Sequence, residues 1–433
     1  MTTQHFISIQ EAMNKGSGKV AVRGWVYRER GSNKMKFIVL RDSSNIIQCV
    51  LERTNFEKQW DEIDKLKIES SVEIEGEIKE DKRAPTGFEI SVSKFHLVHL
   101  ADDYPINKDL NEDLLGDRRH LWLRSRKMTA IMKIRSTVLE AMREHWLKKG
   151  FYEYHSPEIL GMSCEGGSTL FSVDYYGKPA YLSQTWQLHA EPAIFALEKI
   201  FTIQPAFRAE KSKTSRHLSE LWMAEMEVAW DGFDYLQDDA EELIKDIVKK
   251  VLEKNKLELE ILERDVKKLE PVVKKKFPRM TYDDVLKLLK EKAKMKIEWG
   301  KDLRTNEEDE LSKLYDTPVI VTRYPKIVKA FYMKEDPENP KVVLGFDMIA
   351  PEGYGEIVGA SQREEDIDKI KKRLTEEGEC LDNYEFYLDT RRYGSVPHGG
   401  FGMGVERVIS WICGLDTIKD AIAFPRTMTR LSP

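Results

Sequence analysis

A chain of 433 residues is too long for one ordinary domain and leaves ample length for a sizeable core, so two or three domains are expected. A formal charge of -6 and a pI near 6.0 exclude a generally basic nucleic-acid binder; any RNA contact has to come from local cations and stacking surfaces. The four cysteines, at 49, 164, 380 and 413, have no CxxC spacing and no paired histidines nearby, which argues against structural zinc and reads as reduced, intracellular thiols. No run of about 18 apolar residues and no cleavable leader pattern occurs, so no membrane partner and a cytoplasmic location are expected.

From Gly18 to about His99 five β-rich segments, broken by turns such as Gly31-Ser32-Asn33 and Pro85-Thr86-Gly87, predict a small closed barrel within a domain over 1–100. Barrels of this kind often bind single-stranded nucleic acid through aromatic platforms and nearby cations, and Phe37, Arg30 and Gln48 are the candidates. Ordinary barrel packing is the competing reading for Phe37. Residues 101–127 are polar, carry Pro105 and lack periodicity, which predicts a linker with a short helix before a domain over 128–433. Met128 to Lys149 has helical apolar spacing and ends at Gly150; YEYHSP, Tyr152 to Pro157, then leads into a strand.

The stretch FRAEKSKTSRHLSELWMAEMEVAW, Phe207 to Trp230, predicts two antiparallel strands joined by a polar loop. Trp222, Ala224, Met226, Val228 and Trp230 share one parity, facing a core, which puts Glu225 and Glu227 together on the opposite face. In the loop, Arg208, Glu210, Lys211, Lys213, Arg216 and His217 set several cationic donors beside one acid, a mixture suited to a polyphosphate attached to a base. A solvated hairpin tip is the bland alternative. Residues 234–301 are Lys/Glu-rich with helical periodicity and read as a solvated helical face without chemistry. Further on, Asp347 and Glu356 flank a glycine-rich turn, the pair of carboxylates that magnesium needs beside a triphosphate. Near the end, glycines at 399, 400, 402 and 404 allow close backbone approach, and Arg407 follows in the first turns of a helix.

YEYHSP, FRAE with RHLSE, and GFGMGVER, in that order and spacing, resemble the three signature motifs of class II aminoacyl-tRNA synthetases. The likeness is to the aspartyl/asparaginyl branch in its compact archaeal-like form, and it runs from about Gly18 to Pro433. It implies an α+β multidomain chain: a five-stranded OB-fold anticodon-binding barrel, then a catalytic domain on an antiparallel sheet flanked by helices. It implies ATP as substrate and Mg2+ at Asp347 and Glu356, with Arg208 and Arg407 as catalytic residues. Arg208 would hold the α-phosphate, Glu210 the adenine amino group, and His217 and Arg407 the distal phosphates, with Glu356 on the same nucleotide. Glu165 and Gln187 would take the amino acid's α-amino group, Pro157 would lie at the interface of a homodimer, and Trp25, Arg30, Phe37 and Gln48 would read the anticodon.

Aspartyl members of the branch carry a lysine where this chain has Ala190 and an aspartate where it has Glu225. Both changes favour an amide over a carboxylate, with Glu225 accepting from the amide nitrogen and Arg363 donating to its oxygen. Asparagine, and tRNA(Asn) as acceptor, are therefore expected; plain helix packing is the competing reading of Ala190. Aspartate is the nearest alternative substrate. An asparagine synthetase of the related kind would lack the barrel, and a non-catalytic RNA-binding paralogue should have lost Arg208 or Arg407.

Overall fold

The computed structural model describes residues 5–106, 111–161, 169–211, 214 and 216–433, which fall into two compact units, Met1–Arg118 and Arg119–Pro433. In the first, β1 (Gly18–Gly31), β2 (Met35–Arg41), β3 (Ile46–Glu52), β4 (Ser71–Glu80) and β5 (Phe88–His99) close into a barrel in the order β1-β2-β3-β5-β4. Strand alternation decides what lies inside: Val20 and Val22, Ile38 and Leu40, Ile47, Cys49 and Leu51, and Ile74 and Ile90 form its core. A register shift between Val26 and Arg28 bends the long β1 around the barrel. Gly76 is required there, because a Cβ would overlap the Ser91 carbonyl. The helix Ile9–Lys15 starts in a capping box, in which Glu11 N–H donates to Ser8 Oγ (3.2 Å) and Ser8 N–H donates to the Glu11 carboxylate (2.7 Å).

The second unit is built on an eight-stranded sheet in the order β12-β13-β16-β17-β18-β11-β10-β6. In chain order its strands and their neighbours are β6 (Tyr152–Glu153), β7 (Ile159–Leu160), β8 (Ser172–Tyr175), β9 (Lys178–Leu182), β10 (Lys199–Phe207) and β11 (Glu220–Ala229). They continue with β12 (Arg279–Thr281), β13 (Val319–Thr322), β14 (Glu335–Asp336), β15 (Asn339–Val343), β16 (Gly345–Ala350), β17 (Gly355–Gln362) and β18 (His398–Gly404). The run from β13 to β10 is antiparallel throughout; β6 and β12 join at the two edges in parallel. β7, β9 and β8 form a separate three-stranded sheet, and β14 pairs with β15.

One face of the large sheet is covered by helices. Arg126–Lys148, capped by Ser125, lays Ile131, Ile134, Val138 and Met142 against Ala224, Met226 and Val228 of β11 and Phe401 and Met403 of β18. Gly150 leaves this helix with φ +81°, a conformation open to glycine. The expected solvated face over 234–301 is corrected here. Phe233–Lys254 buries Leu236, Ala240, Leu243, Ile244, Ile247, Val248 and Val251 in the same core, because its apolar side chains recur at three- and four-residue spacing beneath the charged ones. The same stretch also supplies the edge strand β12. Trp230 is a second correction: β11 ends at Ala229, and a left-handed residue (φ +70°) turns the indole outward to 67% exposure.

Candidate active site and nucleic-acid face

The opposite face of the sheet, covered at its two ends by the helices Gln187–Leu197 and Tyr282–Lys292, holds the candidate site between them. Across the strands, Glu225 pairs with Gly402, Gly402 with Gly359 and Gly359 with Asp347; one step along, Glu227 pairs with Gly400, Gly400 with Ser361 and Ser361 with Gly345. Glycine in the middle strands strips the floor bare between two groups of charge. At Gly400 this is obligatory, since a Cβ would overlap the Glu227 carboxylate.

Over one end of this floor lies a cleft lined by Arg208, Glu210, His217, Glu356 and Arg407, which were expected on a nucleotide, together with Arg216, Gly402 and Gly404. β10 delivers Arg208, whose backbone N–H donates to the Ser219 carbonyl (3.0 Å) and closes the base of the loop. His217 Nε2 lies 3.2 Å from the Glu210 carboxylate. Burial lowers the pKa of His217; Glu210 opposes this, and Arg407, Arg208 and Arg216 add to it, which favours the neutral imidazole. Arg407, on the helix Val405–Cys413, donates to the Glu356 carbonyl (2.8 Å) and faces Glu356 Oε2 at 3.5 Å. Arg216, another of the loop cations, is held by Asp309 (2.7 Å).

Asp347 and Glu356 each have one oxygen committed to a cation. Lys329 donates to Asp347 Oδ2 (2.7 Å) while its ammonium sits 4.0 Å from the centre of the Tyr324 ring. The other oxygens, Asp347 Oδ1 and Glu356 Oε1, turn to one place over the sheet: a Cβ at Gly359 would be 3.9 and 3.1 Å from them. A gap left by a missing side chain and faced by two carboxylate oxygens fits a magnesium ion, which takes one or two carboxylates and completes its shell with phosphate and water. Burial would raise Glu356, but Arg407, Lys329 and Arg208 prevail and hold it below the usual carboxylate range. Asp347 is pushed up to about 6 by burial, with Glu356 adding and Lys329 opposing. Nothing in the sequence pattern marked Lys329, which lies outside every motif.

At the other end of the floor the charges are sealed. Arg363 donates to both oxygens of Glu227 (2.8 Å each) and to Ser361 Oγ (2.8 Å). Glu191 is fully buried and accepts from Gln187 (2.9 Å), Tyr387 (3.0 Å) and Arg391 (2.6 Å), and its carboxylate lies 3.0 Å from His398 Nε2. Burial opposes charge on Glu191, yet Arg391, His398 and Arg363 hold its carboxyl well below the usual range. Glu191, Glu227 and His398 lie close enough to hold a metal, but two arginines already neutralise them. Sequence reasoning missed Glu191, Tyr387, Arg391 and His398; the i, i+4 pairs Gln187/Glu191 and Tyr387/Arg391 were the available signal.

The expected amino-acid ligands are distributed around this sealed group. Gln187 spends its amide N–H on Glu191, which leaves the amide oxygen, the acceptor an ammonium needs. Glu225 accepts from Thr185 Oγ1 (2.7 Å) and from the Trp186 N–H (3.2 Å), so it also fixes the turn leading into the helix Gln187–Leu197. Ala190 is fully buried against Trp186, Ile194 and Ile200, as plain helix packing requires. Glu165, Cys164 and Lys213 lie outside the described residues.

In the barrel unit, Arg30 pairs with Phe37 across β1 and β2, with its guanidinium 5.2 Å from the ring centre, and Arg41 stands over Trp25 at 5.4 Å. Phe37 has the parity opposite to Ile38 and is half-buried on the barrel's outer face, outside the core cluster. Gln48 shares that face but is buried, and its amide donates to Glu89 (3.0 Å).

The family of tRNA synthetases class II (D, K and N) matches residues 111–428, and the OB-fold nucleic acid binding domain of the tRNA anti-codon type matches residues 20–98. The chain is 49% identical to an asparagine–tRNA ligase of Thermococcus kodakarensis over 96% of each, and 46% identical to that of Thermoplasma acidophilum over 99% of this chain and 100% of the relative. The crystal structure of asparaginyl-tRNA synthetase from Pyrococcus horikoshii complexed with asparaginyl-adenylate superposes with a TM-score of 0.95 at 44% identity, covering 100% of both chains. On this match of family, length and fold, the chain belongs to the class II tRNA synthetases, in the branch that holds the asparagine–tRNA ligases.

Proposed function

We propose that the chain joins asparagine to tRNA(Asn) through an asparaginyl-adenylate, with ATP as the second substrate. The observation that carries this reading is the convergence of Arg208, Glu210, His217, Glu356 and Arg407 on one cleft at the edge of a glycine floor. In the first step an oxygen of the asparagine carboxylate attacks the α-phosphorus, the bond to the β-phosphate breaks and pyrophosphate leaves. In the second, a ribose hydroxyl at the tRNA 3′ end attacks the acyl carbon and AMP departs. Catalysis is by positioning and charge: Arg208 holds the α-phosphate, Arg407 stacks on the adenine and reaches the γ-phosphate side, Glu210 accepts from the adenine amino group, and His217 donates to the distal phosphates. Asp347 and Glu356 would hold Mg2+ through their oxygens over Gly359, where the ion supplies neutralising charge for the polyphosphate.

The amino-acid end reads the side chain. Glu225 repels a carboxylate and accepts from an amide nitrogen, Arg363 has donors left beyond Glu227 and Ser361 for the amide oxygen, and Gln187 and Glu165 take the α-amino group. The barrel, through Trp25, Arg30, Phe37 and Gln48, holds the anticodon. The reading carries with it a homodimer through the segment around Pro157 and a cytoplasmic place of work; no helix among the described residues is long and apolar enough to cross a membrane. ATP–pyrophosphate exchange with each of the twenty amino acids tests it. Exchange should depend on asparagine, with aspartate about 10⁴-fold weaker, because an analogue that leaves buried polar groups unpaired is rejected by that order. Equal or better exchange with aspartate would replace the asparagine assignment, and none with any amino acid would leave a non-catalytic RNA-binding protein.

A further inference from the structure

Arg216 stands on the wall between the nucleotide cleft and an adjoining cavity of about 240 Å³, and Arg407 shares that wall. The contacts that hold its guanidinium come from another part of the chain: Nη2 donates to Asp309 Oδ1 (2.7 Å) and to the Gly353 carbonyl, and Nη1 faces Glu308 Oε2 at 3.9 Å. Asp309 and Glu308 belong to the helix Thr305–Ser312, which lies outside every motif of the sequence. That helix is a firm support. Its Leu311 is buried among Tyr282, Val319 and Val321, and its Ser312 hydroxyl accepts from the Gly353 N–H (2.9 Å). The turn between β16 and β17 leaves room for the charges because it ends in glycine: a Cβ at Gly355 would lie 2.6 Å from Glu308 Oε2 and 3.0 Å from Arg216 Nη1.

We propose that Asp309 is a positioning residue for adenylate formation: it holds Arg216 over the nucleotide cleft so that the guanidinium meets the distal phosphates of ATP. The inference rests on the proposed aminoacylation, in which Arg407 reaches the γ-phosphate side. Arg216 borders the same two spaces as Arg407 and so faces the same end of the triphosphate. A long side chain on a loop loses much rotamer freedom when a ligand fixes it, and a carboxylate on a rigid helix imposes that loss before ATP arrives. The guanidinium keeps an edge for phosphate, because it presents five N–H donors in a planar fork and meets Asp309 and Gly353 through one nitrogen. Stability offers no competing account of the pair. With side chains 27% and 32% exposed, it is too open to water to contribute much to the fold.

Calorimetric Kd values for ATP and for AMP test this on the full chain, with the wild type, Asp309→Ala, Asp309→Glu, Arg216→Gln and the double variant Asp309→Ala/Arg216→Gln. Asp309→Ala should weaken ATP by about ten-fold and leave AMP within about two-fold, since AMP lacks the distal phosphates. Asp309→Glu should recover most of that loss, and the double variant should bind ATP no more weakly than Arg216→Gln alone, because the carboxylate acts through that arginine. Charge alone predicts the reverse: deleting a carboxylate beside a polyphosphate should tighten ATP. Tighter or unchanged ATP binding in Asp309→Ala would therefore overturn the proposal. So would an equal loss for ATP and AMP, which makes the residue structural, or a full further loss in the double variant. Asparagine-dependent pyrophosphate exchange in the wild type keeps the two questions apart. Its absence sinks the aminoacylation reading and this inference with it, whereas exchange present with ATP affinity untouched in Asp309→Ala sinks this inference alone.

Discussion

The two ends of the glycine floor use the same residue types to opposite effect. At the nucleotide end Arg407 is about one third exposed, and Asp347 and Glu356 each keep an oxygen turned to an open gap. At the amino-acid end Arg363, Glu227, Glu191 and Arg391 are buried, and each charge is matched by another within the cluster. Open charge can exchange partners, as the proposed polyphosphate substrate, arriving whole and leaving in pieces, would require. Sealed charge cannot, and it would therefore present a fixed template to the small neutral side chain of the proposed substrate. Under the proposed function, binding would be read at one end by total charge and at the other by geometry.

The comparison breaks most readily at the sealed end. Removing one partner of a buried ion pair leaves the other uncompensated, so Glu227→Ala should destabilise the fold by about 3–5 kcal/mol, seen as a large drop in the denaturant midpoint. Replacing Glu227 and Arg363 together by apolar residues of similar volume should restore much of that stability and leave asparagine-dependent exchange dead. A Glu227→Ala protein as stable as the wild type would show that the pair is not sealed.

At the open end the cost moves from stability to rate. Arg208→Ala and Arg407→Ala should each reduce pyrophosphate exchange by about 3–4 kcal/mol of transition-state stabilisation, a factor of a few hundred, while the unfolding midpoint barely changes. Exchange within a few-fold of wild type would remove both residues from the mechanism. The barrel face offers a milder version of the same openness. Phe37→Ala should weaken tRNA charging by about 1–3 kcal/mol and leave exchange unchanged, because Phe37 stacks on Arg30 outside the barrel core, where the proposed function puts an anticodon base. An equal loss in both assays would point to packing instead.

Much of the open end was legible in the sequence, and most of the sealed end was not. Arg208, Glu210, His217 and Arg407 stand in contiguous polar or glycine-rich runs whose composition makes poor core, so each run advertises a ligand. Glu225 and Glu227 were readable from parity alone, because β11 is regular over Glu220–Ala229; Trp230 failed because parity says nothing about where a strand stops. Glu191 meets Arg391 and His398 across separations of about two hundred residues, and its lone charge inside the largely apolar helix Gln187–Leu197 looks like any other surface position until its partners are known. The helix Phe233–Lys254 was misjudged for a related reason: the charges that make up half of it hide an apolar stripe. The barrel was legible because five short segments with turn residues between them leave few other folds.

The smallest expected effect lies beside the sealed cluster, at Glu158. Its Oε1 accepts from Gln204 (2.9 Å), while its Oε2 is buried with no hydrogen-bond donor among the described residues. Burial, followed by the charge on Glu225, raises this carboxyl from 4.5 to about 7. The folded chain thus holds the proton more tightly than the unfolded one, so this group makes stability fall as pH rises from about 4.5 through about 7. Glu158→Gln removes the penalty and keeps an acceptor for Gln204. Because the side chain is only half-buried, solvent screens most of the shift, and the gain should be about 1 kcal/mol at pH 8. Melting curves across pH check the sign: the variant's advantage should be near zero at pH 4.5, grow up to about pH 7 and then level off. An advantage independent of pH would mean that Glu158 is uncharged or solvated throughout, and one that grows towards acid would reverse the assignment.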